Sequence, residues 1–235
     1  AVSGTHGKTT TSSLVAWILK YAKLNPGYLI GGQPMNFNTP AKLTSSKYYV
    51  IEADEYDTSF IDNQSKYIQY KHKTEIINNI EFDHADIFDD INAIVKNFHH
   101  LVRIIPKNGT IIYNYDDRNI QRLIKKGVWS KLKSLTTRKN KDKLIWALEK
   151  NNGDYVISKN GKKSKIETSL IGLHNYKNIS LAILAALDLK IPLSKCINAI
   201  KSFAGVKRRM ELVGKKDHMI IYDDFAHHPT EIEGS

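Results

Sequence analysis

The feature that most constrains this chain is a glycine-rich segment at its start, Val2-Ser3-Gly4-Thr5-His6-Gly7-Lys8-Thr9-Thr10-Thr11. Glycines at Gly4 and Gly7 allow the backbone to curl, so that several N–H groups point at one anion. Lys8 can reach the β- and γ-phosphates of a nucleotide, and the Thr9 hydroxyl can hold Mg²⁺. A helix expected over residues 8–21 adds the partial positive charge of its N-terminus. The segment therefore predicts a phosphate-binding loop that opens a helix.

Two features of this loop set limits on its interpretation. The common pattern G-x-x-x-x-G-K-[ST] has glycine at the position where Val2 stands. A loop of this kind also follows a strand, of which the sequence contains only two or three residues. We therefore expect a nucleotide-binding domain that is part of a longer protein.

The composition favours a globular cytoplasmic protein. The 235 residues are 41% hydrophobic, which suits one large domain or one domain with a fragment of another. No apolar run approaches the ~20 residues that span a bilayer, and no charged-then-apolar leader is visible. The single cysteine, Cys196, cannot form an intramolecular disulfide, and we expect it to be a small core residue of a helix.

The net charge of +11 raises the alternative of a nucleic-acid partner. The basic residues are scattered, however, and two modest clusters at 138–143 and 159–165 stand beside Asn, Gly and Ser, as exposed turns do. The sequence also lacks the interleaved aromatic and basic residues of an RNA-binding module. We therefore expect a monomer with no nucleic-acid or membrane partner, whose basic surface suits nucleotide and carboxylate ligands.

Apolar runs and helical periodicity alternate along the first 130 residues. The sequence predicts strands at 48–51, 75–80 and 110–114. It predicts helices at 8–21 and 87–104, and a short helix that follows the third strand and ends at residue 126. This alternation is typical of an α/β fold with a mostly parallel sheet flanked by helices on both faces. Residues 131–171 change to short alternating runs, such as 155–158 and 165–170, which predict a small antiparallel sheet. Two helices at 174–189 and 192–203 and a strand at 219–222 complete the prediction.

Acidic residues follow two of these predicted strands. Glu52-Ala53-Asp54-Glu55, with Asp57 close behind, ends the first, and Asp83-His84-x-Asp86 follows the second. Neighbouring carboxylates repel one another unless a cation or solvent intervenes. The plain alternatives are a solvated acidic loop and a structural histidine. Beside a phosphate-binding loop, we favour Mg²⁺ ligation by the first segment and a second metal ligand in His84.

Two later segments each have two interpretations. Gly172-x-His174-Asn175-x-x-Asn178 opens a predicted helix, where Asn and His either cap the helix or aim polar groups at an adenine or a phosphate. Lys207-Arg208-Arg209-x-Glu211 precedes the last strand, where arginine is either a phosphate clamp or part of an exposed charged run.

Taken in order, these segments resemble the Mur ligase family, the ATP-dependent amide-bond ligases of peptidoglycan synthesis. The matching segments cover essentially the whole chain and are Gly4-Thr5-His6-Gly7-Lys8-Thr9-Thr10, Glu52-Ala53-Asp54-Glu55, Asn79-x-Glu81-x-Asp83-His84, His174-Asn175-x-x-Asn178, Arg209-x-Glu211 and Asp223-Asp224-x-x-His227-His228-Pro229. Several motifs in family order are far more specific than any one of them.

Three of the segments are similar to the branch of the family that acts on UDP-N-acetylmuramate. Two reactions occur in that branch, and they differ in the amine that is added. Residues 55–58, 82–90 and 98–103 resemble the members that add L-alanyl-γ-D-glutamyl-meso-diaminopimelate, a murein tripeptide, in peptidoglycan recycling. The resemblance therefore implies these two substrates, with addition of L-alanine as the alternative.

The resemblance implies a protein of three domains, with residues 1–223 as the central ATP-binding domain. A UDP-binding domain is expected to precede it, and residues 224–235 to begin the C-terminal domain that receives the amine. We therefore expect the isolated chain to bind ATP weakly and to ligate nothing. Many members also carry a carbamylated lysine downstream of the histidine that matches His84. The corresponding segment here is Asn97-Phe98-His99-His100, so that metal arrangement is not carried over.

The resemblance also implies ATP and Mg²⁺ as cofactors and a role for each site residue. The nucleotide-binding residues would be Gly4, Thr5, His6, Gly7, Lys8, Thr9, Thr10, Asn175, Arg209 and Asp224. The metal ligands would be Thr9, Glu52 and His84. Lys8, His84 and Arg209 would be catalytic, because they offset negative charge as the muramyl carboxylate attacks the γ-phosphate; each such contact is typically worth ~3–4 kcal/mol. The peptide's amino group would then displace phosphate from the acyl phosphate.

A generic P-loop ATPase switch is the alternative from another class. Glu52-Ala53-Asp54-Glu55 could supply the acid of its Walker-B strand. A switch of that kind has no need of His84 or of the His227-His228 pair, and for that reason the ligase is favoured.

Overall fold

The computed structural model describes residues 1–54, 66–83, 88–139 and 142–234. The helices are α1 (Lys8–Tyr21), α2 (Ile91–Ile104), α3 (Arg118–Lys125), α4 (Leu173–Asp188), α5 (Leu193–Lys201) and α6 (Pro229–Gly234). A 3₁₀ helix covers Lys66–Gln69. The strands are β1 (Val2–Ser3), β2 (Gly27–Leu29), β3 (Ala41–Lys42), β4 (Tyr49–Ile51), β5 (Thr74–Ile77), β6 (Thr110–Asn114), β7 (Lys131–Thr136), β8 (Trp146–Asn151), β9 (Asp154–Lys159), β10 (Lys162–Lys165), β11 (Glu211–Lys216) and β12 (Met219–Asp223).

A seven-stranded sheet in the order β1-β5-β6-β7-β8-β9-β10 forms the centre of the structure. Its strands pair in parallel from β1 to β8, and β9 and β10 pair antiparallel at the edge. A parallel bridge between Val2 and Glu52 joins this sheet to the three strands β3-β2-β4. The strands β2, β4, β1, β5 and β6 therefore all end at the same edge.

Helices cover both faces of the sheet because successive strand residues point to opposite sides. Ile76 and Ile112 face one core, which contains α1, α4 and α5, and Ile77 and Ile111 face the other, which contains α2 and α3. The α/β fold with a mostly parallel sheet flanked by helices, and with antiparallel strands, is therefore confirmed.

Local chemistry sets several element boundaries. Helix α1 and strand β6 have the predicted bounds, whereas α2 begins at Ile91 because the Asp90 carboxylate accepts a hydrogen bond from Ala93 N (2.8 Å). The strand predicted at 165–170 ends at Lys165, and the short strand β2 was not predicted. Strand β7, within the region predicted to be antiparallel, pairs in parallel with β6.

Cys196 is fully buried in α5, as predicted, and burial raises the pKa of its thiol to about 12. Within the described ranges, no helix combines the length and the apolar character needed to cross a membrane.

A buried carboxylate connects the first strand to the sheet. Glu75 on β5 is fully buried; the Ser3 hydroxyl donates to it (2.5 Å), and His72 Nε2 lies 2.7 Å from its other oxygen. Burial alone would raise the pKa of Glu75, but the charge and hydrogen bond of His72 hold it below its ordinary value. Because Ser3 immediately precedes Gly4, this cluster anchors the start of the glycine-rich loop.

We predict that His72→Ala lowers the free energy of unfolding by roughly 3 kcal/mol at pH 7, because it leaves the buried Glu75 carboxylate without the imidazole that partners it. His100→Ala, an exposed position on α2, is the control and should cost less than about 0.5 kcal/mol. Because the pKa of Glu75 is lower in the folded state than in the unfolded state, its charged form stabilises the fold at pH values above the unfolded pKa. This stability is lost as the pH falls through the folded-state pKa. The difference between the wild type and His72→Ala in urea unfolding should therefore shrink below about pH 4. A pH-independent difference would contradict this account.

Candidate functional site

The candidate site lies where the parallel strands end. The glycine-rich loop follows β1, Glu52 follows β4, Asn78 follows β5, and Asp116 comes two residues after β6. The carboxyl edge of an open parallel sheet is the usual position of a ligand site in such folds.

Both glycines of the loop have conformations that other residues rarely adopt. Gly4 has φ +125° and Gly7 has φ +78°, in the left-handed region. A Cβ atom on Gly4 would lie 2.9 Å from the Asn79 carbonyl oxygen, and one on Gly7 would lie 2.6 Å from Asn178 Oδ1. The loop therefore needs glycine at both positions for backbone conformation and for space.

Two consecutive asparagines after β5 hold the loop in place. Asn79 Oδ1 accepts a hydrogen bond from His6 N (2.8 Å), and the Asn79 carbonyl accepts one from Thr5 N (3.2 Å). The Asn78 amide donates to the His6 carbonyl (3.2 Å) and to the Thr11 hydroxyl (2.9 Å). Sequence reasoning placed Asn78 inside a predicted strand and missed this role, although its position at the end of an apolar run is a usable signal.

Lys8 and Thr9, at the start of α1, contact acids that follow β4. Lys8 Nζ lies 3.4 Å from Asp54 Oδ1, and the Thr9 hydroxyl donates to Glu52 Oε1 (2.8 Å). The second oxygen of Glu52 accepts from Gly31 N (2.7 Å). A hydroxyl beside a carboxylate is a set of hard oxygen ligands, which fits Mg²⁺.

The remaining predicted metal ligand, His84, lies outside the described residues. Glu55, Asp57 and Asp86 lie outside them as well.

A cavity of about 440 Å³ lies beside the loop. It is lined by six of the predicted nucleotide-binding residues, which are His6, Gly7, Thr10, Asn175, Arg209 and Asp224. The structure therefore brings together residues that are more than 200 positions apart in the sequence.

Two of these lining side chains already make structural hydrogen bonds. The Asn175 amide donates to the Ile171 carbonyl (2.7 Å) just before α4. This bond does not cap the helix, because the free groups at a helix N-terminus are N–H donors and the N-cap position is Gly172, which has no side chain. The Asp224 carboxylate accepts from Met210 N (2.7 Å) and Ala226 N (2.6 Å). Both side chains therefore help to shape the cavity wall in addition to facing it.

Glu231 was not identified from the sequence, and it organises one end of the cavity. Arg209 Nη1 and His6 Nδ1 lie 3.6 Å and 3.3 Å from Glu231 Oε1. Burial would raise the pKa of Glu231, but the hydrogen bond from His6 and the charge of Arg209 lower it to about 2. Arg209 is therefore held by a carboxylate at the cavity wall and is not part of an exposed charged run.

Sequence reasoning also missed residues that reach the cavity from β6 and β7. Asp116 accepts hydrogen bonds from the Thr136 hydroxyl (2.6 Å) and Thr137 N (2.7 Å), and it lies 3.6 Å from Arg138 Nε. Asp116, Thr137 and Arg138 all line the cavity. The signal for Asp116 is its position just beyond a buried strand, whereas Arg138 belongs to a predicted exposed turn and its side chain is in fact largely exposed.

Comparisons with known proteins agree on one family. The sequence matches the Mur ligase middle domain over residues 2–186. It is 44% identical over 236 residues to the UDP-N-acetylmuramate–L-alanyl-γ-D-glutamyl-meso-2,6-diaminoheptandioate ligase of Escherichia coli K12, covering 99% of this chain and 50% of that protein. It is 39% identical over 245 residues to the UDP-N-acetylmuramate–L-alanine ligase of Caldicellulosiruptor saccharolyticus, covering 100% of this chain and 51% of that protein.

A solved structure agrees with the sequence relatives. The UDP-N-acetylmuramate:L-alanyl-γ-D-glutamyl-meso-diaminopimelate ligase from Neisseria meningitides superposes with a TM-score of 0.80 at 40% identity, covering 88% of this chain and 66% of that one. The chain spans about half the length of the curated relatives that it matches in sequence.

We predict that Gly7→Ala destabilises the protein more than the same substitution at a glycine with similar positive φ and open space around it. Gly161 has φ +76°, and a Cβ atom added there would meet nothing within 4 Å, so Gly161→Ala should cost only the backbone term of about 1–2 kcal/mol. Gly7→Ala adds the clash with Asn178, worth a further ~1–3 kcal/mol. Urea unfolding of both variants measures the difference, and equal losses would show that the close packing at Gly7 is unimportant.

Proposed function

Because the chain belongs to the Mur ligase family, we propose that it is the ATP-binding part of a ligase that joins UDP-N-acetylmuramate to L-alanyl-γ-D-glutamyl-meso-diaminopimelate. The observation that carries the proposal is the convergence of the glycine loop, the Thr9–Glu52 pair and the Arg209-lined cavity at one sheet edge. The fold alone would not carry it, since one fold hosts many activities.

The choice of amine is supported by the relatives. Two relatives at 44% and 41% identity are named for the tripeptide-type substrate, and a relative named for L-alanine is 39% identical. The resemblance of residues 82–90 to the tripeptide-adding members agrees with this order. Addition of L-alanine remains the alternative reaction that the experiment below distinguishes.

We propose ATP and Mg²⁺ as the cofactors. The N–H groups of residues 4–10 would hold phosphates at the N-terminus of α1, and the cavity residues Asn175, Arg209 and Asp224 would hold the rest of the nucleotide. Thr9 and Glu52 would hold one Mg²⁺ and His84 would bind a second cation, and the two would supply positive charge between two anionic reactants.

In the proposed reaction a carboxylate must approach a phosphate, and the two anions repel each other. Cationic side chains of this chain would offset that repulsion. Lys8 lies 3.4 Å from Asp54, so its ammonium is fixed at the end of the loop rather than extended into solvent. Arg209 is held in the same way by Glu231. Both cations would offset charge as the muramyl carboxylate oxygen bonds to the γ-phosphorus and ADP leaves. The amino group then attacks the acyl carbon of this acyl phosphate and releases inorganic phosphate.

We also propose that residues 1–223 are the central domain and that residues 224–235 begin the next one, with a UDP-binding domain before residue 1. The share of the relatives that is covered supports this. The hairpin β11–β12 is a sheet of its own, and its apolar residues Leu212, Val213, Ile220 and Ile221 are half or more exposed. A surface of this kind is typical of one that another part of a protein covers.

We predict that Lys8→Ala in the full-length protein lowers ATP turnover with both substrates by about 100-fold or more, because charge at the phosphates is no longer offset. Lys125→Ala, an exposed position in the last turn of α3, is the control and should retain wild-type turnover. Near-normal turnover in Lys8→Ala would exclude the proposed nucleotide site.

We further predict that phosphate release by the full-length protein requires UDP-N-acetylmuramate and the tripeptide together. L-alanine in place of the tripeptide should give little release, because the relatives most similar in sequence are named for the tripeptide. A preference for L-alanine would establish the alternative reaction, and release without any muramate would favour a generic ATPase.

A further inference from the structure

A second group of possible metal ligands shares no residue with the Thr9–Glu52 pair. His6, Glu81 and His228 place one ligand atom each within 4.8 Å of one another. They come from three separate parts of the chain, which are the glycine-rich loop, the segment after β5 and the residue before α6. None of them belongs to the predicted Mg²⁺ ligand set.

The distances in this group are close to those of a coordination shell. His6 Nε2 and Glu81 Oε2 are 3.5 Å apart, and the rings of His6 and His228 have centroids 4.5 Å apart. A tetrahedral zinc ion with bonds of about 2.1 Å places neighbouring ligand atoms about 3.4 Å apart. The His6–Glu81 pair therefore already has this spacing, and the distances to the His228 ligand atom are at most 4.8 Å.

His6 is the member whose surroundings point most directly to a ligand. Its Nε2 atom is buried and makes no hydrogen bond within the described residues, which is costly for a polar atom. Its Nδ1 atom lies 3.3 Å from Glu231 Oε1. A metal-ligating histidine commonly directs its second nitrogen at a carboxylate in this way, which fixes the tautomer and the ring.

The contacts of the other two members are compatible with an ion. Glu81 Oε2 accepts a hydrogen bond from the Thr230 hydroxyl (2.7 Å), and a carboxylate has capacity for a metal beside it. Thr230 N donates to His228 Nδ1 over 3.3 Å, so an ion bound at that nitrogen replaces a long hydrogen bond.

We propose that His6, Glu81 and His228 form a site for a divalent transition metal of the zinc class, separate from the Mg²⁺ site. Two imidazoles and one carboxylate are the ligands of an open zinc site, whereas Mg²⁺ prefers oxygen ligands. An ion here cross-links the glycine loop to the chain that follows β12. Because the group borders the cavity, a bound ion also restrains one wall of the proposed nucleotide site.

The full-length protein is titrated in excess Mg²⁺, so that oxygen-ligand sites are already occupied. Zn²⁺ binding is measured by calorimetry, and Co²⁺ binding is measured in a separate titration by visible absorption. We expect saturable Zn²⁺ binding and the visible bands of tetrahedral Co²⁺. His228→Ala and Glu81→Gln should each weaken Zn²⁺ at least about tenfold, and Glu231→Gln, which acts through His6, should weaken it by about tenfold.

The neighbouring histidine provides a matched control. His227 is largely exposed, and its Nδ1 lies 3.1 Å from the Phe225 carbonyl oxygen and 3.8 Å from Glu231 Oε2, which is too long for a hydrogen bond, so His227→Ala should leave Zn²⁺ affinity unchanged. Unfolding curves identify any variant that fails to fold. Zn²⁺ binding that is unaffected by both His228→Ala and Glu81→Gln, that is weakened equally by His227→Ala, or that excess Mg²⁺ abolishes would overturn the proposal.

Discussion

The amide of Asn78 is the interaction on which the rest of the site depends. Its nitrogen lies 3.2 Å from the His6 carbonyl, 2.9 Å from the Thr11 hydroxyl and 3.1 Å from Asn178 Oδ1. One buried side chain just after strand β5 therefore joins the loop, α1 and α4. Because a buried amide without partners is costly, all three elements are fixed together. The positions of Lys8 and Thr9 follow from that arrangement.

The second organising constraint is charge. The chain carries a net charge of +11, yet Lys8 and Arg209 are each beside a carboxylate, Asp54 and Glu231. These pairs keep the cations at fixed positions around the loop. An anionic ligand would then replace a protein carboxylate beside a cation that is already in place. Less side-chain reorganisation is needed than with mobile cations.

The predictable parts of the structure were those encoded locally. The glycine spacing around Gly7, the helical period of 8–21 and the apolar run at 110–114 each reflect a rule about neighbouring residues. Strand β7 was harder, because its sequence Lys-Leu-Lys-Ser-Leu-Thr has neither an apolar run nor apolar residues at every second position, and its parallel pairing with β6 is a contact between distant residues. Glu231 could not be identified, since its role comes from His6 and Arg209, which the fold brings to it from distant parts of the sequence.

The central claim is that ATP activates a carboxylate at this loop, and an isotope experiment tests it most directly. UDP-N-acetylmuramate labelled with ¹⁸O in its muramyl carboxylate is incubated with ATP, the tripeptide and the full-length protein, and the released phosphate is analysed by mass spectrometry. Attack of that carboxylate on the γ-phosphorus predicts one ¹⁸O atom in each labelled phosphate released. Unlabelled phosphate, released together with ligated product, would contradict the account.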